Sequence, residues 1–142
     1  MRQTVDWEEM VREDHENLED QLEVLAGIFR LDALPEERWA ALRWTLRTIR
    51  PMLEAHFKKE EGTLFPALEK ALGVRAAAIP LLVEQHGQLK AQLDRMEDLL
   101  FQRPARWDEL KAEGIRFTEL LGGHEKTEQR LLVDFLGPRG PH

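Results

Sequence analysis

Apolar positions recur along this chain at alternating steps of four and three residues, the spacing of a single buried stripe on an α-helix. The first stripe runs Val11, His15, Leu18, Leu22, Leu25, Phe29, and the second Trp39, Leu42, Leu46, Ile49, Leu53, His56, Glu60. The third is Ile79, Leu82, His86, Leu89, Leu93, Met96, Leu100, and the fourth Leu110, Gly114, Phe117, Leu121, His124, Glu128, Leu131, Phe135. No segment alternates with the period of two that marks a strand, so the chain reads as all-α. The stripes predict helices over about residues 4–30, 36–61, 76–102 and 108–137. Pro35 suits the first turn of the second helix, and Pro51 predicts a kink within it. "EGTLFPALEKALG" follows as a broken continuation, and the third helix stops before Pro104. Asp108 is the expected N-cap of the fourth helix, which ends at Gly137-Pro138. Short connections predict an antiparallel up-down-up-down four-helix bundle. It would form one domain over residues 1–137, with a disordered tail over 138–142.

The interruptions of the stripes are more informative than the stripes. Each of the four carries one histidine where a core aliphatic belongs, and two add a glutamate one turn later. With stripe positions at about two in seven, four histidines landing there by chance is roughly a one-in-a-hundred event. The pattern also repeats: lone His15 precedes His56-x-x-x-Glu60, and lone His86 precedes His124-x-x-x-Glu128. That is a doubled two-helix unit with approximate twofold symmetry. At about 1.5 Å per residue, His86 and His124 lie roughly 24 and 26 Å from their shared turn, hence level. His15 and His56 lie roughly 22 and 31 Å from theirs, a mismatch left to the Pro51 kink and a longer turn.

Two carboxylates buried without compensation would each cost several kcal/mol or remain protonated. A bound cation removes that cost and uses the imidazoles as well. The i, i+4 spacing of His56/Glu60 and His124/Glu128 puts each pair on one helix face, able to reach one ion or two neighbouring ones. Four imidazoles and two carboxylates form an N/O donor set suited to iron or manganese, with zinc binding adventitiously, rather than to calcium or magnesium. Two ions fit the set better than one.

Composition narrows the chemistry further. The 142-residue chain carries a formal net charge of −7 and no basic cluster, which argues against nucleic-acid binding. It has no cysteine, tyrosine or serine, so thiolate ligation, tyrosyl radicals and a serine nucleophile are excluded. No apolar run suggests a membrane span or a signal peptide, which makes the cytoplasm the expected location. Trp7, Trp39, Trp44 and Trp107 read as core or rim packing, and the Glu-rich run of the first helix reads as a solvated face.

"DHENL", "HFKKEEGTLFPAL", "EQHGQL" and "HEKTEQRLL" together resemble the hemerythrin-like, or HHE cation-binding, family over almost the whole chain. The resemblance implies a non-haem di-iron centre inside the bundle. His15 and His56 would sit mainly on one iron, His86 and His124 on the other, with Glu60 and Glu128 bridging. Two departures stand out. No fifth histidine, as used by oxygen-carrying members, lies beside His86, and Gln129 stands where the family often repeats the glutamate present as Glu61. With an oxo or hydroxo bridge, this ligand set leaves roughly one open position on each of two six-coordinate irons. Glu19, one turn after His15, is a candidate to close one. The expected function is binding of O₂ or a related diatomic such as NO, for sensing, carriage or protection. Alternatives are an oxidase- or peroxidase-like di-iron enzyme, an iron storage or delivery protein, and a metal-free interaction bundle.

Overall fold

Residues 7–102 and 106–136 are described in the computed structural model. Their order is α1 (Trp7–Phe29), α2 (Glu36–Lys59), a π-helical segment (Glu60–Leu64), α3 (Phe65–Leu72), a 3₁₀ turn (Gly73–Ala76), α4 (Ile79–Phe101) and α5 (Trp107–Leu136). Among these residues no strand occurs. The four long helices α1, α2, α4 and α5 make the helical bundle expected from the stripes. The 138–142 tail, with His142, and the side chains of Trp7 and Val11 lie outside the described residues.

The stripes are the core. Leu18, Leu25, Phe29, Leu42, Leu46, Ile49, Leu53, Leu89, Leu93, Met96, Leu110, Phe117 and Leu121 are buried in one apolar cluster. A second cluster joins Leu64, Phe65, Leu68 and Leu72 to Ile79, Leu82, Leu131 and Leu132. Here α3 covers the end of the bundle with an apolar face of its own. The histidine and glutamate positions fall between the two clusters, so apolar packing seals them on both sides.

Several element boundaries differ from expectation, each for a local reason. Pro51 stays inside one continuous α2, and its ring sits on an exposed face. The second helix leaves α geometry at Glu60, where the Phe65 amide donates to the Glu60 carbonyl across five residues. The third helix starts at Ile79, with Pro80 in its first turn, because residues 73–76 form a 3₁₀ turn after Gly73 at φ 57°. Asp108 lies inside the first turn of α5, since the helix already begins at Trp107, and it adds favourable charge there. Trp44 is exposed rather than packed, whereas Trp39 and Trp107 close the far end of the core. Trp107 stacks on Phe29 at 5.9 Å, and its indole N–H donates to the Leu31 carbonyl at 3.1 Å. Lys111 donates to the same carbonyl at 2.9 Å, satisfying an acceptor left free beyond the end of α1.

Gly114 interrupts the fourth stripe because a Cβ there would overlap the ring of Phe29. Gly114→Ala would gain about 1 kcal/mol of helix propensity but force the ring aside. The expected net result is a loss of about 1–2 kcal/mol, read as a lower denaturant midpoint with an unchanged slope.

Candidate metal centre

Six side chains from α1, α2, the π segment, α4 and α5 meet in one layer: His15, His56, Glu60, His86, His124 and Glu128. Each is at most 4 % exposed. The layer contains two groups whose ligand atoms all lie within 4.8 Å of one another: Glu60, His86, His124 and Glu128, and His15, His56 and Glu128. Glu128 belongs to both. The sequence pattern therefore brings together all six residues that it singled out. The imidazoles of His15 and His56 are level, with centroids 5.6 Å apart. α2 runs unbroken through Pro51, and residues 30–35 connect it to α1.

Glu60 and Glu128 sit at the middle. Glu60 Oε1 is 2.8 Å from His86 Nε2, and Glu60 Oε2 is 3.0 Å from His56 Nε2. Glu128 Oε2 is 2.7 Å from His124 Nε2, and Glu128 Oε1 is 3.2 Å from His15 Nε2. Each carboxylate thus spans an imidazole from either half of the repeat. The Nε2 atoms of His86 and His124 face each other at 3.2 Å.

The directions of these atoms bear on whether a metal fits. His56 Nε2, Glu60 Oε2 and Glu128 Oε2 are buried and have no hydrogen-bond partner, although each has an oppositely charged atom within 3.0 Å. Their lone pairs are not aimed along hydrogen bonds to one another. Donor atoms arranged around shared points, with nitrogen and oxygen chemistry suited to iron, fit the cation the sequence calls for.

Without an ion, the layer balances its charge with protons. Burial pushes the His56 imidazolium towards neutrality, but the Glu128 and Glu60 carboxylates outweigh it and raise its pKa to about 11. The same contest at His124 ends at about 9. Burial works against ionised Glu128, yet Glu60 and the histidines around it hold its carboxyl well below the ordinary value.

A second ring of residues orients the imidazoles. His56 Nδ1 donates to Asp14 Oδ2 at 2.8 Å, His124 Nδ1 to Gln85 Oε1 at 2.9 Å, and His86 Nδ1 to Glu61 Oε2 at 2.5 Å. Such partners fix the ring tautomer that leaves Nε2 free to ligate. Lys59 lies 3.4 Å from Asp14 and shields its charge. Sequence reasoning did not single out Asp14 or Gln85, although a signal was present: each directly precedes the lone histidine of its half and holds the histidine of the following helix. The repeat thus extends to the outer ring.

Its fourth member breaks the pattern. Gln129, the counterpart of Glu61, is exposed, and His15 Nδ1 is buried without a hydrogen-bond partner. Glu19, the candidate for an open position, is exposed and belongs to neither group.

Consecutive Glu60 and Glu61 both reach the His86 ring because the π turn between α2 and α3 widens the helix at this point. A π turn adds a residue to the helical repeat and re-aims side chains, and such turns concentrate at functional sites. Phe57 stacks on His86 at 3.8 Å and Phe65 at 5.7 Å, so this half of the centre has an aromatic wall. Leu89, Leu121 and Leu131 are buried as well. A cleft of about 140 Å³ between α1 and α2, lined by Asp14, Leu18, Met52 and Lys59 among others, leads from the surface to His56.

Comparison with known proteins matches residues 8–136 to the family model described as hemerythrin HHE cation binding domain. No curated protein and no solved structure gives a match.

Proposed function

From a chain that belongs to the hemerythrin HHE cation-binding family, we infer a non-haem centre of two iron ions that binds O₂ or NO. Its role would be sensing, carriage or protection against oxidative or nitrosative stress. The observation that carries this reading is the pair of ligand groups sharing Glu128, with a histidine pair at each end. His15 and His56 would hold one ion, His86 and His124 the other, with Glu60 and Glu128 bridging. Manganese or zinc would satisfy the same donors.

An antiparallel up-down-up-down arrangement accompanies this reading. It is supported by pairings in which residue numbers rise on one helix as they fall on its neighbour. His15 lies beside Glu128 and Phe29 beside Gly114, while His86 lies beside His124 and Arg95 beside Glu113.

Iron in such a setting would supply reversible electron exchange with a bound diatomic. The chain's own contribution is to hold and shield. Asp14, Gln85 and Glu61 fix three imidazoles, so the donors need little reorganisation when an ion enters. Phe57, Phe65 and the surrounding leucines shield the His86 side of the layer from water, an environment that admits small neutral diatomics and disfavours charged ones. No described helix is long and apolar enough to cross a membrane. Action in the cytoplasm, without nucleic acid, is the accompanying proposal.

The test is metal analysis of protein from iron-replete cells, with visible spectra under nitrogen, air and nitric oxide. About two irons per chain and a spectrum that changes reversibly with the gas are expected. Rapid peroxide turnover without a stable gas-bound spectrum would favour the enzyme alternative instead.

A further inference from the structure

We propose that the cleft between α1 and α2 is the route by which metal cations enter and leave the centre, with the His56 ring as its gate. This rests on the two-ion reading above and adds how the layer is filled.

Apolar clusters pack on both sides of the layer, and His86 lies against Phe57 at 3.8 Å and Phe65 at 5.7 Å. A close-packed interior has few voids larger than a water molecule, so a cation that still carries water needs a built opening. The cleft of about 140 Å³ is lined by exposed Asn17, Ala55 and Lys59 and by buried Leu18 and His56. It therefore joins solvent to a residue of the layer.

A single imidazole separates the cleft from the central carboxylates. His56 Nδ1 is 2.8 Å from Asp14 Oδ2, and Asp14 lines the cleft. His56 Nε2, on the other side of the ring, is 3.0 Å from Glu60 and 3.7 Å from Glu128. The two rings near His56 leave its faces less constrained than those of His86. His15 meets it edge-on at 5.6 Å and Phe57 at 6.2 Å with a tilt of 48°. At His86 both phenyl rings stack, tilted by only 12° and 18°. Turning the His56 ring thus releases one hydrogen bond at the edge of the cleft, whereas turning His86 breaks a stack inside the core. The latch itself reaches the surface, since the half-exposed Lys59 ammonium lies 3.4 Å from Asp14. Lys59 opposes a cation at the mouth while it is paired, and its departure bares the Asp14 carboxylate to the incoming charge.

The probe is zinc, with uptake by the full chain and release to excess chromophoric chelator both followed by stopped flow. Ala55→Phe narrows the cleft from the α2 wall and Asn17→Phe from the α1 wall. Neither residue has a ligand or outer-ring role, and both are exposed, so folding is retained. An obstacle on a route raises the barrier equally in both directions and leaves the end states alone. Each variant is expected to slow uptake and every release phase by about tenfold, with the equilibrium Kd within about twofold of the parent. Ala91→Phe, at an exposed position of α4, is the control and should match the parent. Parent rates in both cleft variants overturn the proposal, as does any release phase that neither variant slows. A change in one direction only, which shifts Kd, also overturns it, because the substitution then acts on the bound state. The Asn17 variant decides the matter if the Ala55 variant does not fold. A parent that takes up no zinc removes the two-ion reading itself, and the proposal with it.

Discussion

Metal-loaded protein is expected to melt at least about 10 °C above the same protein stripped by a chelator. An ion present at a thousand times its dissociation constant adds about 4 kcal/mol. For a chain of this size, each kcal/mol moves the midpoint by about 3–4 °C. The stripped protein should remain helical, because protons replace the ions. His56 and His124, with pKa values raised to about 11 and about 9, remain charged at neutral pH and offset Glu60 and Glu128. That substitution is incomplete, since His56 Nε2, Glu60 Oε2 and Glu128 Oε2 stay without hydrogen bonds. The shortfall is what an ion recovers. Scanning calorimetry of loaded and stripped samples at one pH makes the measurement. Coincident transitions would mean that the layer is structural, and the metal-free bundle would become the better description.

His56→Leu and His124→Leu are each expected to lower metal affinity by more than about a hundredfold, beyond the loss usual for an outer-ring residue. Each imidazole approaches both central carboxylates. His56 Nε2 is 3.0 Å from Glu60 and 3.7 Å from Glu128, while His124 Nε2 is 2.7 Å from Glu128 and 3.8 Å from Glu60. Leucine matches the apolar neighbours in volume but supplies no donor, and it leaves the carboxylates without their imidazolium partner. Metal content by plasma emission after dialysis, with far-ultraviolet circular dichroism to confirm helicity, is the readout. A folded leucine variant holding as much metal as the parent would remove these residues from the centre. Asp14→Ala should lie between parent and His56→Leu, since it releases the His56 ring without deleting it.

The stripes and the outcome at Gly114 and Pro51 mark how far a one-dimensional pattern reaches. Periodicity of 3.6 states which side of its own helix a residue occupies, and that suffices to bury His15, His56, His86 and His124 together with the leucines around them. It also explains why Gly114 could be placed on the stripe but not understood. The reason, the ring of Phe29, comes from a helix far away in sequence. Pro51 carried a local expectation of a kink, and it lies inside an α2 that runs unbroken from Glu36 to Lys59. Trp44 was expected to pack by its residue type, yet it lies off the stripe and is exposed.

The sequence by itself determined the all-helical class, the buried face of each long helix, and the six donors that interrupt those faces. All of these follow from geometry within a single helix, repeated. Tertiary structure alone decided which atoms meet: Glu60 and Glu61 on one imidazole through the π turn, Asp14 and Gln85 behind the histidines of neighbouring helices, and α3 across the end of the bundle. It also decided that Glu125 is buried while Glu19 is not, although each is near a stripe histidine on its own helix. The physical reason is that a residue on the flank of a stripe is covered or exposed according to the neighbouring helix, and its spacing carries no record of that neighbour.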